Sequence, residues 1–279
     1  MTAARAWRRR MIAAVVFVAF LVAAKLMIDW RYGVAVTQAT TLFDGCHKAW
    51  AHRGFVNEHE ENTLGSVEAA ASMGASGVEV DILYDLPTQQ FIVSHDEPYQ
   101  RTNGEFLTLD KLLAAFPADT FLWLDAKNLS SLWPHDALNA VAKLTAAIKA
   151  SGLQDRVLVE SRNPLYLGWL ADEAIHTSYM ISPNAKYAAP LFWLNVYFMK
   201  LSYTWGPFSA LSMNDYRYGE KVADAFGDDI AILVSTVNEQ ADFERYARHP
   251  NIRVVLTDKD FFAFDSCAVA VDDPVLPPG

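Results

Sequence analysis

The feature that most constrains the fold is an alternation of short apolar segments with amphipathic ones from residue 47 onward. Within 136–150, Leu138, Val141 and Leu144 recur at helical spacing, and Gly152 follows as a stop signal. The apolar segments have the length of buried strands, and we place eight of them at 48–53, 77–83, 121–127, 156–161, 177–182, 208–213, 230–236 and 253–257. Eight strands alternating with helices over about 220 residues predict an α/β fold, the (β/α)8 or TIM barrel.

Two further observations bear on the architecture. An additional apolar run at 91–95 follows the turn-rich segment 86–90, and we interpret it as the return arm of a β-hairpin inserted after strand two. A doubly wound open sheet has the same alternation of strands and helices. The count of eight strands and the polar residues at their ends favour the barrel, which we bound at 44–266, with a short tail at 267–279.

The first 32 residues have the composition of a targeting segment. Four arginines lie between residues 5 and 10, and an uncharged, mostly aliphatic stretch follows at 11–24. A run of about fourteen apolar residues is typical of a cleaved signal peptide, and the small residues at its end suit cleavage. If Lys25 extends its ammonium to the interface, 11–28 gives about eighteen residues that span a bilayer, with Trp30 at the far interface.

We favour the uncleaved single-pass anchor, and a secreted or periplasmic protein after cleavage is the alternative. In both cases the arginines stay on the cytoplasmic side and the rest of the chain is exported. The formal charge of −10 and the lack of a long basic run after residue 10 argue against nucleic-acid binding, which needs a basic face. Because of its apolar stretch, we expect the N-terminal segment to have the membrane as its partner.

The chain has two cysteines, one shortly before the first predicted strand and one shortly after the last. In a closed barrel these two strands are neighbours, so Cys46 and Cys267 could approach each other. An exported chain permits a disulfide between them. Two unpaired thiols are the alternative, and neither cysteine has the spacing of a metal ligand.

Four short motifs bring histidines, carboxylates and an arginine to predicted strand ends. They are His-Arg-Gly at 52–54, Glu-Asn-Thr at 61–63, Glu-Val-Asp at 79–81 and His-Asp at 95–96, and Asp-Ala-Lys at 125–127 adds to them. In a TIM barrel the carboxyl-terminal ends of the strands carry the catalytic groups. This set of side chains suits metal-assisted cleavage of a phosphate ester.

The carboxylates of these motifs predict a cation site. Residues two apart on a strand project on the same side, so Glu79 and Asp81 point together, and Asp125 joins them from the next barrel strand. Three converging carboxylates repel one another unless a cation lies between them, and oxygen ligands favour one divalent ion, Mg²⁺ or Ca²⁺. Glu61 would either add a fourth oxygen to this metal site or hold Arg53.

Cleavage of a phosphodiester also requires positive charge around the phosphoryl oxygens and an acid–base pair. Arg53 and Lys127 supply that charge together with the metal. His52 and His95 are the expected acid–base pair, because imidazole titrates near neutral pH. The other histidines lack such neighbours, and we interpret them as structural or surface residues: His47, His59, His135, His176 and His249.

The order and spacing of the four motifs resemble the glycerophosphodiester phosphodiesterase family. Weaker matches at Glu160-Ser161, 235–238 and Thr257-Asp258 extend the resemblance over residues 48–260. It implies a TIM barrel with a hairpin insertion, and hydrolysis of glycerophosphodiesters to glycerol 3-phosphate and an alcohol through attack by a glycerol hydroxyl and a cyclic phosphate. It also implies His52 and His95 as catalytic residues, Glu79, Asp81 and Asp125 as metal ligands, and Arg53 and Lys127 as phosphate contacts.

The chain departs from the family pattern at two positions. Asp125 stands where the family commonly has glutamate, and its side chain is one methylene shorter, so the cation must lie closer or be reached through water. Ser235 stands where a family signature usually starts with tryptophan, which removes an aromatic surface from the pocket. The second change leaves the preferred leaving group open, but neither removes a group that the chemistry requires.

A nearly uncharged, aromatic-rich segment at 183–207 follows strand five and is expected at the active-site face. We interpret it as a helix packed on the barrel or as an apolar lip that binds an acyl chain or a membrane. A lip would favour lysophospholipids, cleaved in the manner of a phospholipase D, over soluble substrates such as glycerophosphocholine. An inositol-lipid phospholipase C-like barrel fits the His-Arg-Gly and Glu-Val-Asp motifs less well. A binding protein without turnover is disfavoured because both histidines are present.

Overall fold

Eight parallel strands close into a barrel, and a further strand extends it as an antiparallel arm. The computed structural model describes residues 3–55, 60–101 and 104–268. Its strands are β1 (Ala49–Ala51), β2 (Gly77–Asp85), β3 (Gln90–Val93), β4 (Phe121–Ala126), β5 (Val157–Ser161), β6 (His176–Met180), β7 (Ala210–Asn214), β8 (Ile232–Ser235) and β9 (Ile252–Thr257). β1 pairs in parallel with both β2 and β9, so the order β1-β9-β8-β7-β6-β5-β4-β2 returns to β1. The predicted TIM barrel is confirmed, and each predicted strand overlaps one of its eight strands.

Helices surround the barrel and connect its strands. They are α1 (Ala3–Gln38), α2 (Leu64–Ser72), α3 (Leu109–Ala115), α4 (Pro134–Ser151), α5 (Pro164–Asp172), α6 (Ala189–Tyr203), α7 (Glu220–Phe226) and α8 (Gln240–Arg248). Local sequence sets several of their ends. Thr63 and Ser66 form a capping box that starts α2, and Gly152, at φ 72°, ends α4 in the left-handed conformation that the stop signal predicted.

The barrel interior is filled at the amino-terminal ends of its strands. Trp50 is fully buried there, and its indole stacks on Phe121 with ring centroids 5.7 Å apart. Gly77 makes room for it, since a Cβ at that position would lie 2.2 Å from the indole. The other buried side chains of this layer are Trp123, Leu158, Ala210, Leu233, Val254 and Leu256. Polar groups of the strands therefore cluster at the opposite end, which we call the mouth.

Two strands differ in length from the sequence-based expectation. β1 has three residues because Arg53, at φ 56°, turns the chain out of the sheet immediately after His52. β2 is longer than predicted, and its last four residues pair with β3, from Ile82 opposite Val93 to Asp85 opposite Gln90. His59 and the tail beyond residue 268 lie outside the described residues.

α1 is a single helix whose two parts have different surroundings. Near its end, Tyr32 is buried, donates a hydrogen bond to the carbonyl of Phe226 at 3.2 Å, and packs its ring 5.5 Å from that of Tyr203. The earlier part is exposed, as at Phe17, whose side chain is 61% accessible. Among the residues that the structure describes, 5–38 is the one helical stretch long and apolar enough to cross a bilayer.

α6 forms most of the aromatic segment 183–207 and has two unlike faces. One face packs on the barrel through Phe192, Val196, Met199 and Tyr203. The other face leaves large apolar side chains in the open, with Leu191 57%, Leu194 68% and Phe198 65% accessible. The segment is thus a packed helix that also carries an exposed apolar surface.

Cys46 and Cys267 form a disulfide, with Cα atoms 5.4 Å apart. Both cysteines of the chain are used in this bridge. It joins the segment before β1 to the segment after β9, as the adjacency of the first and last strands allows. The alternative of two unpaired thiols does not hold in this structure.

Candidate active site

The predicted carboxylates meet at the barrel mouth. Glu79 and Asp81 project from β2, and Asp125 lies on β4 directly beside Asp81 in the strand register. One oxygen from each of the three lies within 4.8 Å of the others. Glu79 and Asp81 are buried, at 2% and 0% accessible. The strand alternation that aligns residues two apart therefore gathers three acidic groups at one point.

Burial and mutual repulsion make this cluster hard to keep fully ionised. Burial, together with the charges of Asp81 and Asp125, raises the pKa of Glu79 well above its usual range. Burial also raises the pKa of Asp125. A divalent cation between the oxygens would offset both effects, and three carboxylates form the donor set that Mg²⁺ or Ca²⁺ prefers. The residues fit a cation site.

Lys127 lies against the cluster. Its Nζ is 2.6 Å from Oδ2 of Asp125 and 2.8 Å from Oδ1 of Asp81. Burial alone would lower the pKa of Lys127, but the charges of Asp125 and Asp81 outweigh it and raise the pKa above its ordinary value. The ammonium is therefore a permanent positive charge at the mouth.

Arg53 lies in the turn that follows β1 and contacts Glu79 and Asp81 of the cluster. Its backbone N–H donates to Oε2 of Glu79 at 2.9 Å, and its Nε lies 3.1 Å from Oδ2 of Asp81. Its Nη1 donates to both oxygens of Glu61 at 3.1 Å. Glu61 is thus placed against Arg53, the second of its two predicted roles, and lies outside the three-carboxylate cluster.

The two candidate catalytic histidines are each bound through Nδ1 to a carboxylate. Nδ1 of His52 lies 2.8 Å from Oδ1 of Asp258, and Nδ1 of His95 lies 2.6 Å from Oδ2 of Asp96. The backbone N–H of Ser94 donates to the carbonyl of Asp81 at 3.0 Å, which fixes the position of the chain just before His95. Both imidazoles keep some exposure, with side chains 20% and 34% accessible.

Three further polar residues belong to the site, although no role was predicted for them from the sequence. Asn62, at φ 56°, donates to Oδ2 of Asp81 and accepts from its backbone N–H, both at 2.9 Å. Asp258 holds His52, and its other oxygen accepts from Asn238 at 2.7 Å. Glu160 is 4% accessible and neighbours Asp125 on β5; burial and the Asp125 charge raise its pKa to about 8.

Each of these residues left a signal in the sequence. Asn62 belongs to the Glu-Asn-Thr motif, whereas Glu160-Ser161 and Thr257-Asp258 stand at the ends of predicted strands four and eight. A polar residue at a strand end is a candidate site residue in any TIM barrel. Closure of the barrel brings the strand before Asp258 beside the strand before His52.

A family model matches the part of the chain that holds most of these residues. The model described as "Glycerophosphoryl diester phosphodiesterase family" matches residues 52–165, the stretch that holds all four motifs and the Asp-Ala-Lys group. This part of the chain is similar to the glycerophosphoryl diester phosphodiesterase family. No curated protein matches the sequence.

Several solved structures share the fold of this chain. A Silicibacter pomeroyi DSS-3 protein, assigned as a glycerophosphoryl diester phosphodiesterase, is 16% identical, with a TM-score of 0.61 over 81% of this chain and 95% of its own. A Parabacteroides distasonis glycerophosphodiester phosphodiesterase is 21% identical, with a TM-score of 0.57 over 77% and 94%. An Oleispira antarctica phosphodiesterase, solved with its product sn-glycerol-3-phosphate, is 18% identical, with a TM-score of 0.56 over 76% and 92%. At these identities the likeness shows the fold.

Proposed function

We propose that the chain hydrolyses glycerophosphodiesters to glycerol 3-phosphate and an alcohol, using one divalent cation and two histidines. The observation that carries the proposal is the cluster of Glu79, Asp81 and Asp125 within 4.8 Å, flanked by Arg53 and Lys127. Such a site combines a cation with two fixed positive charges, which is what a phosphodiester anion needs. The match of residues 52–165 to the family model and the glycerol 3-phosphate bound by the Oleispira antarctica protein support this substrate.

Glu79, Asp81 and Asp125 would hold the cation, either Mg²⁺ or Ca²⁺. When bound, such an ion neutralises charge on the phosphoryl oxygens. The guanidinium of Arg53 would contact the same oxygens, and Glu61 would act through Arg53 by holding Nη1 in place. Lys127, which two carboxylates keep protonated, would be the second phosphate contact.

His52 and His95 would move the two protons of the reaction. One proton leaves the attacking hydroxyl and another is delivered to the leaving oxygen. Because each histidine directs Nδ1 at a carboxylate, Nε2 of both rings is the nitrogen available to the substrate.

The test is an assay of the purified full chain on glycerophosphocholine, with and without a chelator. We expect release of glycerol 3-phosphate that the chelator abolishes and that His52→Ala lowers by at least about 10²-fold. His135→Ala is the matched control, since the side chain of His135 is 80% accessible and lies outside the site. Release that resists both the chelator and the His52 substitution would contradict the proposal.

A second candidate substrate is a lysophospholipid, cleaved at the same bond to release the headgroup alcohol. The exposed apolar face of α6, with Leu191, Leu194 and Phe198, favours it, because a soluble diester has no use for that surface. Lysophosphatidylcholine assayed beside glycerophosphocholine separates the two. A higher kcat/KM on lysophosphatidylcholine than on glycerophosphocholine would favour the lysophospholipid as the substrate.

We also propose that α1 is retained as a single-pass membrane anchor, with the barrel on the extracytoplasmic side. The helix continues without a break from the apolar stretch into residues that pack on the barrel, such as Tyr32 and Val36. The cluster of arginines before residue 11 supports a cytoplasmic N-terminus. Recovery of the intact N-terminus in the membrane fraction would support retention, and a mature protein that starts after Ala24 would contradict it.

A further inference from the structure

One side of α6 carries exposed apolar side chains along its whole length. Leu191, Leu194 and Phe198 on this side are followed by Leu201, which is 42% accessible, and by Trp205, which is 61% accessible and lies just after the helix. We call these five residues the seam. They are three, four, three and four positions apart. This spacing is the one with which a helix packs along a second helix over a narrow line.

The other sides of α6 already have partners within the chain. Buried residues such as Phe192 pack on the barrel. On another side, α1 lies along α6, where Lys25 holds its ammonium 5.5 Å from the ring centroid of Tyr197. Lys200 also pairs with Asp29 of α1 at 3.2 Å. The seam is therefore the side of α6 that the described part of the chain leaves open.

The area of the seam is close to that of a protein interface. The exposed parts of its five side chains amount to roughly 600 Å². A monomer rarely leaves more than about 600 Å² of contiguous apolar surface open, and each partner in a standard interface buries about 800 Å². The seam thus approaches what one helix pair needs, before any side chain next to it is counted.

Polar residues border the seam on both sides. On one side stand Asn195 and Ser202, and on the side towards α1 stand Tyr197 and Lys200. A helix that faces hydrocarbon is apolar over a broad arc, whereas a narrow apolar line between polar borders suits one further helix. The seam carries no charged side chain, so an identical seam can lie against it without repulsion. A second copy of α6 therefore fits it.

α1 and α6 run in the same direction, and this sets how two copies can meet. From Lys25 beside Tyr197, the contacts between the two helices continue to Tyr32, which packs on Tyr203. Positions along both helices therefore increase together. If two copies met with antiparallel α6 helices, their α1 helices would point in opposite directions and could not enter one bilayer from the same side. A parallel pair keeps both α1 helices in the same membrane.

We propose that α6 pairs with α6 of a second copy of this chain along the seam, in parallel and in register. Such a pair has a two-fold axis that runs along the two helices, so each seam residue meets the same residue of the other copy. The parallel direction rests on the proposed role of α1 as an anchor. The pair would also cover the apolar face that the acyl chain of a lysophospholipid would use, so these two occupants exclude each other.

The experiment cross-links single cysteines in the full chain, reconstituted in phosphatidylcholine vesicles. Leu191→Cys, Phe198→Cys and Leu201→Cys each place one thiol on the seam, while both native cysteines are held in the disulfide. Oxidation with copper phenanthroline then joins thiols that meet across a pair. Leu138→Cys on α4 is the matched control, because Leu138 is also an exposed helical leucine, 53% accessible. A second sample of each variant carries a fluorophore on the thiol and is exposed to nitroxide-bearing lipids.

We expect about fivefold more cross-linked dimer from all three seam variants than from Leu138→Cys, since only a parallel pair brings equal positions together over a length of about 15 Å. Cross-linking at Phe198 alone would indicate an antiparallel pair and would overturn the proposal. Quenching at the seam without cross-links would identify lipid as the occupant, and neither signal would leave the seam to another protein. Both of these results overturn the proposal too. Because no turnover is measured, a failed hydrolysis assay leaves this result intact, and the two proposals fail separately.

Discussion

At the scale of single residues, Asp258 acts on the site through His52. Its hydrogen bond from Nδ1 of His52 is the largest cause that lowers the pKa of Asp258 below its usual range, so the carboxylate is ionised at neutral pH. Asn238 fixes the other oxygen. A carboxylate held in this way orients the imidazole and sets which nitrogen carries the proton. Asp258 is therefore a positioning residue for His52.

Asp258→Asn tests this role. We expect kcat to fall on the order of 10- to 100-fold, because the amide keeps the shape but loses the charge that fixes the histidine. KM should change much less, because Asp258 contacts His52 and not the substrate. Asp155→Asn, on an exposed turn far from the site, is the control. A variant that loses thermal stability but keeps kcat would show that Asp258 is only structural.

Lys48 makes stability depend on pH. Burial, followed by the charge of Arg253, lowers its pKa to about 8. Between about pH 8 and the ordinary pKa of lysine, the folded chain has therefore released this proton while the unfolded chain still binds it. The free energy of unfolding rises with pH in that interval. Lys48→Met should remove that rise. The measurement is the thermal midpoint of both proteins from pH 7 to pH 10, and equal slopes would contradict the prediction.

At the scale of the elements, the strands can be predicted from the sequence more completely than the contacts within the site. The eight strands and the grouping of Glu79, Asp81 and Asp125 follow from alternation and spacing alone. The bond between Asp258 and His52 depends on barrel closure, which unites residues 206 apart in sequence. The turn at Arg53 depends on a left-handed backbone that a non-glycine residue rarely adopts, so no local signal predicted the short β1.

Gly77→Ala tests the packing between β1 and β2. The added methyl group would meet the indole of Trp50, which is fully buried and cannot move aside. We expect a loss of about 1–3 kcal/mol in the free energy of unfolding. Gly33→Ala is the matched control, since its Cβ would meet nothing within 4 Å. Equal stability of the two variants would show that the interior tolerates the extra volume.

A divalent cation bound by the three carboxylates on β2 and β4 should stabilise the folded chain. A cation that binds the folded cluster at 100 times its Kd would stabilise the chain by about 2.7 kcal/mol. Mg²⁺ and Ca²⁺, added separately to chelator-treated protein, should raise the thermal midpoint. Glu79→Gln should reduce that shift, whereas Glu173→Gln, an exposed pair with Lys149, should not. A shift that survives Glu79→Gln would place the ion elsewhere.

At the scale of the whole molecule, the seam between β1 and β9 is short, because β1 offers only three residues to its two neighbours. The disulfide between Cys46 and Cys267 lies beside this seam and spans 221 positions of sequence. A bridge across so long a loop restricts the unfolded chain strongly. It therefore supports barrel closure where the hydrogen-bonded ladder is shortest.

Replacing both cysteines, Cys46→Ser with Cys267→Ser, should lower the free energy of unfolding by about 2–5 kcal/mol. Thermal unfolding with and without reductant measures the effect, and the double variant should no longer respond to reductant. If the wild-type midpoint is the same in both conditions, the bridge adds nothing to the stability of the fold.

The same bridge gives the catalytic part of the chain the connectivity of a ring. Residues 46–267 form a closed covalent loop, with the segment that holds α1 attached at Cys46 and residues 268–279 attached at Cys267. One protease cut in any connection of the barrel would therefore open the ring without dividing the molecule. The two pieces would migrate together until a reductant released them, so α1 would stay linked to both pieces of a nicked barrel.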